Sequence, residues 1–186
     1  MLTVIFDTET TGLPKNAAVP LSRQPKIIEF GAVLVDEQYN VLDSINQLIN
    51  PGEEITEEIT KITGITNEDL VGKPVFAEVE PQIRAFFERA QLMIAHNLPF
   101  DRKLVSFDLE RCGKIEGFPW PQYSLCTAAE SQIETGKRQK LTQVYLDVTG
   151  KPLAQTHRAL DDVMALLEIV RGKNYVSVFT TAQAQN

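Results

Sequence analysis

Cysteine is scarce in this sequence, and its placement excludes several kinds of site. The 186 residues include two cysteines, Cys112 and Cys126, which form no CxxC pair. Their spacing argues against a zinc ribbon or a thioredoxin-like redox motif. Two separate thiols fit a reducing cytoplasm better than a disulfide framework, and we expect both to be small buried side chains.

Long hydrophobic runs and an excess of basic residues are also missing. No apolar stretch approaches the roughly 18 residues of a membrane span, and the first residues lack the basic segment of a signal peptide. Lys and Arg number 18 against 25 Asp and Glu, a net charge of −7, which disfavours indiscriminate duplex binding. Nucleic acid is not excluded, because bound cations can reverse the local charge of a site. We expect a soluble, cytoplasmic protein with no membrane partner.

The composition is typical of a single globular domain. Hydrophobic residues make up 43% and charged residues 23% of the chain, which excludes disordered, collagen-like and coiled-coil classes. A chain of this length suits one domain with a short tail. We place the domain at residues 1–171 and a frayed C-terminal tail at residues 172–186.

Hydrophobic periodicity predicts an α/β fold. Short apolar runs predict strands at residues 2–6, 27–36, 41–49, 91–95 and 123–126. Helical periods and end signals predict helices at residues 56–63, 66–70, 76–90, 101–112, 128–134, 141–148 and 159–171. Three strands followed by alternating helices and strands predict one mixed sheet flanked by helices.

Two carboxylates stand at the end of the first predicted strand. Asp7 and Glu9 are two residues apart, so they share one face if the strand continues. Two uncompensated charges beside an apolar run would repel each other and be costly to desolvate, and a divalent cation would remove that cost. The alternative is a polar strand end followed by a turn at Thr11 and Gly12.

A second acidic position follows another buried strand. Asp101 comes shortly after residues 91–95, and ligands collect at the ends of strands in open α/β sheets. The alternative is that Asp101 only caps a helix. His96 adjoins the same strand, where a histidine is usually hydrogen-bonded and structural.

Helix geometry separates two adjacent aspartates near the C-terminus. In the helix at residues 159–171, Asp162 lies at the edge of the apolar face while Asp161 points away from it. We therefore choose Asp162 as a candidate metal ligand and Asp161 as a solvated charge. His157 precedes the helix, where its ring can reach a neighbouring site.

These segments together resemble a known enzyme family. The sequences FDTETTGL, IIEFGAVLVD, HNLPFD and HRALDDVMALLEI are similar to the motifs of the DnaQ-like, or DEDDh, 3′→5′ exonucleases, which include DNA polymerase III proofreading subunits and oligoribonucleases. The resemblance covers residues 2–171. In that family a histidine precedes the last metal-binding aspartate by five positions, which agrees with His157 and Asp162.

The resemblance implies a fold, a cofactor and a reaction. The fold would be ribonuclease H-like, with a mixed five-stranded sheet. Asp7, Glu9, Asp101 and Asp162 would hold two divalent cations, Mg²⁺ or Mn²⁺, which clamp the entering and leaving oxygens. His157 would accept the proton of the attacking water. The substrate would be the 3′ end of single-stranded DNA or RNA, and the product a nucleoside 5′-monophosphate.

The family's substrate contacts are carried over by motif position. The backbone after the acidic pair, at Thr10 and Gly12, would approach the terminal nucleotide, with Leu13 packing on the base. Asn97 and Phe100 of the second motif would lie near the same nucleotide, although Phe100 is equally compatible with a core position. One further candidate departs from the pattern, because Thr63 stands where proofreading subunits have a histidine.

Three alternatives to a DNA exonuclease stay open. The first is an oligoribonuclease-like enzyme that trims short RNA, since sugar preference depends on the pocket beside the 2′ position. The second is a proofreading subunit that works with a DNA polymerase. The third is a non-catalytic nucleic-acid-binding scaffold, against which the complete acidic set argues.

Overall fold

The fold is built on a five-stranded mixed sheet. The computed structural model describes residues 1–177 and residue 179. The sheet has the order β3-β2-β1-β4-β5, with β2 antiparallel to β1 and β3, and β4 parallel to β1 and β5. Its strands are β1 (Thr3–Thr10), β2 (Ile27–Val35), β3 (Val41–Leu48), β4 (Leu92–Ala95) and β5 (Tyr123–Cys126). The α/β class and the mixed five-stranded sheet are confirmed.

Seven helices are described, and most begin and end close to their predicted limits. They are α1 (Glu57–Thr63), α2 (Asn67–Leu70), α3 (Phe76–Arg89), α4 (Leu98–Arg111), α5 (Thr127–Thr135), α6 (Leu141–Thr149) and α7 (Ala159–Gly172), with a 3-10 turn at Leu21–Arg23. At α1, the Thr56 hydroxyl caps the helix start, and Gly64 ends the helix in the left-handed conformation. In the part of the chain described, no helix combines the length and apolarity needed to cross a membrane.

The two largest differences from the predicted boundaries, at the end of β1 and the start of α4, both affect the site. β1 continues to Thr10, because its pairing with β2 extends to Ile27. α4 begins at Leu98 rather than at Asp101, since Pro99 in the first turn removes only an N–H that lacks a helical acceptor. Asp101 therefore lies inside the first turn, and the prediction that it caps the helix is wrong.

The sheet separates two apolar clusters. On one side, Phe6 and Phe30 pack with Phe87 of α3, at ring-centroid distances of 5.1 and 6.4 Å from Phe87. On the other side, Ile5 and the buried face of α7 pack together. Because successive residues of β1 alternate between these sides, Asp7 and Glu9 follow Ile5 on the α7 side.

Packing continues past the predicted domain end at residue 171. Val176 is fully buried in the α7-side cluster, and the ring centroids of Tyr123 and Phe179 are 5.9 Å apart. The first part of the expected tail is therefore packed rather than frayed. The rest of that expectation, at residues 178 and 180–186, lies outside the described residues.

The two cysteines are free, as expected, but less buried than predicted. Cys112 and Cys126 are both half-buried. Burial raises the pKa of the Cys112 thiol, so this thiol is a weaker nucleophile than an exposed one.

Candidate active site

The carboxylates of β1 point toward the start of α7. Asp7 is paired in register with Gly31 of β2, and Glu9 with Glu29. Residues in register on neighbouring strands lie on the same face of the sheet, so all four positions face α7. The strand therefore presents both predicted carboxylates on one face before the chain bends at Thr11 and Gly12.

Asp101 is held against β1 by two hydrogen bonds. Thr8 donates its backbone N–H (3.1 Å) and its hydroxyl (2.8 Å) to one Asp101 carboxylate oxygen. The Asp101 side chain is buried, and burial raises its pKa to about 7, although the bonds from Thr8 act in the opposite direction. The residue thus joins α4 to the strand that carries Asp7 and Glu9.

The choice between the two aspartates of α7 agrees with their observed orientation. Asp162 is buried, with 6% of its surface exposed, whereas Asp161 is exposed. The Asp162 carboxylate accepts a hydrogen bond from the Gln155 side-chain amide at 2.6 Å, while Asp161 accepts one from the Thr156 hydroxyl at 2.8 Å. Only Asp162 faces the sheet, as the helical phase predicted.

His157 lies beside the carboxylates in an unusual backbone conformation. Its φ is +50°, a left-handed value that side-chain-bearing residues rarely adopt. Ligand atoms of Glu9, His157 and Asp162 all lie within 4.8 Å of one another. The structure therefore brings together residues separated by about 150 positions, which is the juxtaposition that the motifs predicted.

The pKa values of the clustered carboxyl groups are raised above their ordinary values. Burial, together with the charges of Asp162, Glu29 and Asp101, raises the pKa of Glu9 to about 8. The pKa of Asp7 is also well above its ordinary value because of burial and the charges of Asp101 and Glu9. Burial likewise raises the pKa of Asp162. Burial therefore destabilises each group as an anion, and for Asp7 and Glu9 the neighbouring carboxylate charges add to this effect.

This donor set fits a hard divalent cation. Carboxylate oxygens are the ligands that Mg²⁺ and Mn²⁺ prefer, and a cation would compensate the burial and the mutual repulsion that raise these pKa values. Arg158 lowers the pKa of Glu9, but its guanidinium is already bound to Glu29. The cluster thus has the chemistry of a divalent-metal site.

The loop after β1 has an exposed edge suited to ligand contact. The Thr10 hydroxyl donates to the Gly12 carbonyl at 2.8 Å, and Gly12 has a φ of +154° that favours glycine. The Leu13 side chain is 78% exposed. A cavity of about 350 Å³ begins at Gly12 and Leu13 and extends to Lys15 and Arg23. Thr10, Gly12 and Leu13 remain candidates for substrate contact.

The other substrate candidates differ in their accessibility. Asn97 is exposed, and its side-chain oxygen accepts a hydrogen bond from Arg138 at 2.6 Å. Phe100 is half-buried and packs on the core. Thr63 is buried, and its hydroxyl is bonded to the Ile59 carbonyl and the Ile65 N–H. The structure therefore gives Thr63 a local structural role, and we do not place it in the proposed site.

His96 has the structural role that was expected. Its two ring nitrogens are 2.9 Å from the Thr127 hydroxyl and 3.1 Å from the Gln139 carbonyl oxygen. Burial lowers its pKa, so the ring is held neutral and hydrogen-bonded. This arrangement makes His157 the histidine available for chemistry.

Four residues that support the site were not singled out from the sequence. Glu29, Arg158, Thr8 and Gln155 all bond to site residues or to the start of α7. For Glu29 a signal existed, since a charged residue interrupts the apolar run IIEFGAVLVD. For the others no local pattern was available, because their partners are defined only by the folded chain.

Comparisons with known proteins assign the family. The family model described as "Exonuclease" matches residues 4–170. The chain is 31% identical over 167 residues to the DNA polymerase III subunit epsilon of Treponema pallidum, covering 88% of this chain and 72% of that protein. It is 30% identical over 166 residues to the DNA polymerase III PolC-type of Thermotoga petrophila, covering 89% of this chain. The chain spans only 11% of the length of that PolC-type relative.

Solved structures show the same fold. The nuclease domain of 3′hExo, a DEDDh family member bound to rAMP, superposes with a TM-score of 0.69 at 18% identity, covering 97% of this chain and 92% of that one. A 3′-exonuclease that recognises the histone mRNA stem-loop superposes with a TM-score of 0.73 at 16% identity, covering 93% of this chain and 63% of that one. The ribonuclease H-like architecture expected from the motifs is confirmed. The chain belongs to the exonuclease family, as the resemblance of its motifs predicted.

Proposed function

We propose that the protein is a metal-dependent 3′→5′ exonuclease that hydrolyses the last phosphodiester bond of a single-stranded DNA end. The observation that carries this proposal is the meeting of Glu9, His157 and Asp162 within 4.8 Å, beside Asp7 and Asp101. A pure binding scaffold would gain nothing from carboxylates whose burial and mutual repulsion raise their pKa values.

Asp7, Glu9, Asp101 and Asp162 would hold two divalent cations, Mg²⁺ or Mn²⁺. When bound, the cations supply Lewis-acid activation of the water and neutralise charge on the leaving oxygen. Thr8 fixes the orientation of the Asp101 carboxylate through its two hydrogen bonds, and the charge of Asp101 acts on Asp7 by raising its pKa. This orientation is prepared before substrate binds, which is the arrangement that catalysis by positioning requires.

His157 would act as the general base. As the water oxygen forms a bond to the terminal phosphorus, the His157 imidazole accepts a proton from that water. The bond between phosphorus and the 3′ oxygen breaks, and the departing oxygen takes a proton from solvent. The products are a nucleoside 5′-monophosphate and a chain with a new 3′ hydroxyl.

Substrate would enter along the loop after β1. Gly12 lets the terminal nucleotide approach the backbone, and Leu13 offers an exposed apolar surface to its base. Thr10, Asn97 and Phe100 complete the proposed contact set. A single-stranded end needs few phosphate contacts, which suits a chain with a net charge of −7.

DNA is the preferred substrate class in this proposal because the relatives described above are named as DNA polymerase III components. Those names also support a DNA polymerase as partner and a cytoplasmic site of action. An RNA-trimming activity is the second candidate, since one similar structure is of a 3′-exonuclease that recognises the histone mRNA stem-loop. Matched DNA and RNA oligomers digested under single-turnover conditions decide between them.

Digestion of end-labelled oligomers tests the proposal. With Mg²⁺ or Mn²⁺, a 3′-labelled single strand should release labelled mononucleotide at once, while a 5′-labelled strand shortens stepwise. Chelator should stop both reactions. Endonucleolytic fragments, release from the 5′ end, or activity that persists in chelator would contradict the proposal.

A further inference from the structure

The inner strand β2 carries a fully buried carboxylate that contacts the start of α7. Glu29 has no exposed surface. It accepts hydrogen bonds from Arg158 Nε at 3.0 and 3.1 Å, from Arg158 Nη2 at 2.6 Å and from the Ala159 backbone N–H at 2.9 Å. Burying an ion pair rarely stabilises a fold more than apolar residues would, so this pair is better explained by what it holds in place.

A steric fit next to Glu29 holds the same helix end. Gly31 lies two residues further along β2 on the same face. A Cβ atom at Gly31 would lie 2.5 Å from the Ala159 carbonyl carbon and 2.5 Å from the Leu160 nitrogen. The backbone of α7 therefore rests directly on the strand, and we call Glu29, Gly31 and Arg158 the β2 clamp.

The clamp adjoins a residue in a strained conformation. His157, with its φ of +50°, immediately precedes Arg158. Such a conformation costs on the order of 1–3 kcal/mol and persists only where the surroundings determine it fully. The chain on the C-terminal side of His157 is fixed by the bonds of Glu29, and the Asp162 N–H donates to the Arg158 carbonyl at 3.0 Å.

We propose that Glu29 and Arg158 are positioning residues that fix the His157 backbone and aim its imidazole at Glu9 and Asp162. Neither residue needs to touch substrate. The consequence for hydrolysis rests on the proposed role of His157, whereas the effect on the His157 ring does not. The effect on the His157 ring and the effect on hydrolysis can therefore be disproved separately.

A second buried carboxylate provides a matched control. Glu80 is 2% exposed and binds Arg84 at 2.7 Å and Lys114 at 2.8 Å. It belongs to α3 and has no bond to α7 in the described residues. Glu29→Gln and Glu80→Gln thus each neutralise one buried, ion-paired glutamate, but only the first disturbs the clamp.

Histidine-selective NMR measures the position of the ring directly. The chain has two histidines, His96 and His157, so the imidazole spectrum is simple and His96 serves as an internal reference. In metal-free protein, Glu29→Gln should shift or broaden the His157 signals and leave those of His96 unchanged. Glu80→Gln should change neither. Unaltered His157 signals in a folded Glu29→Gln protein would overturn the proposal.

Kinetics then ask whether Glu29 acts through His157. Glu29→Gln should lower kcat about 10–100-fold, the usual effect of losing a supporting hydrogen bond, with KM changed by less than about threefold. In a His157→Ala background the same substitution should cost no more than about threefold further. An equal loss in both backgrounds would mean that Glu29 acts elsewhere, and the proposal would be rejected.

A second variant covers the case in which Glu29→Gln does not fold. Arg158→Lys keeps the positive charge but loses the two-pronged contact with Glu29. It should reproduce the change in the His157 signals and the loss in kcat. Signals identical to those of the unsubstituted protein would overturn the proposal. Full activity of His157→Ala, in contrast, would reject the general-base role and leave the NMR result intact.

Discussion

Replacing Glu9 by glutamine should stabilise the metal-free protein at alkaline pH while removing its activity. Burial, with the charges of Asp162 and Glu29, raises the pKa of Glu9 from 4.5 to about 8. The folded state therefore binds a proton that the unfolded state releases, and stability falls as the pH rises from about 4.5 to about 8. Glutamine carries no charge and avoids this loss.

The size of the expected stabilisation by Glu9→Gln follows from how far the pKa of Glu9 is raised in the folded protein. At about 1.4 kcal/mol for each tenfold change in proton affinity, the upper limit is about 5 kcal/mol, of which about 3 kcal/mol falls between about pH 5.5 and pH 8.5. Glu9 is partly exposed and titrates together with its neighbours, so we expect about 1–2 kcal/mol. In a chain of this length that corresponds to roughly 2–8 °C in melting temperature.

The assay is thermal unfolding in chelator across this pH range. Glu9→Gln should melt above the unsubstituted protein at about pH 8.5, and the difference should shrink toward about pH 5.5. Glu80→Gln is the control of opposite sign: burial alone would raise the pKa of Glu80, but hydrogen bonds from Lys114 and Arg84 lower it. That variant should lose stability at neutral and alkaline pH.

Added Mn²⁺ should reverse the order of the melting temperatures, so that the unsubstituted protein melts above Glu9→Gln. Binding at about 100 times the dissociation constant contributes about 2.7 kcal/mol, and the unsubstituted site should gain more than Glu9→Gln does. The reasoning is refuted if Glu9→Gln melts at or below the unsubstituted protein at alkaline pH in chelator.

Four further substitutions test the geometry of the site. Asp162→Ala should lower Mg²⁺-dependent hydrolysis at least about 100-fold, while Asp161→Ala keeps most of it; equal losses in the two rates would show that the helix-face assignment is wrong. His157→Ala should reduce kcat about 10²–10⁴-fold without loss of Mn²⁺ binding by calorimetry, and an unchanged kcat would remove this residue from the mechanism. Gly31→Ala should force the α7 backbone away from β2, at a cost of about 1–3 kcal/mol in unfolding free energy and about 100-fold in rate. A fully active, equally stable Gly31→Ala protein would contradict the close contact at Ala159.

Much of the fold was predictable because its elements carry local signals. Apolar runs marked the strands, and the helical phase of α7 separated Asp162 from Asp161 on the basis of sequence alone. The end of β1 was not predictable in the same way. Residues Asp7 to Thr10 look like a polar strand end, and only their pairing with β2 keeps them extended.

The supporting residues show the limit of reasoning from one sequence. Glu29 was visible as a charge within an apolar strand, but its partner Arg158 lies 129 residues away. Thr63 was assigned as a substrate contact by motif position, and this assignment illustrates a different limit. A motif position does not show whether a side chain is accessible, and the Thr63 hydroxyl is used within α1.

Anomalous diffraction from crystals grown with Mn²⁺ tests the central claim most directly. The account predicts two Mn²⁺ peaks roughly 3.5–4 Å apart, bound by Asp7, Glu9, Asp101 and Asp162. Both peaks should disappear, or one should be lost, in Asp162→Ala crystals grown in the same way. Mn²⁺ found only at other surfaces, or no peak among these four carboxylates, would contradict the account.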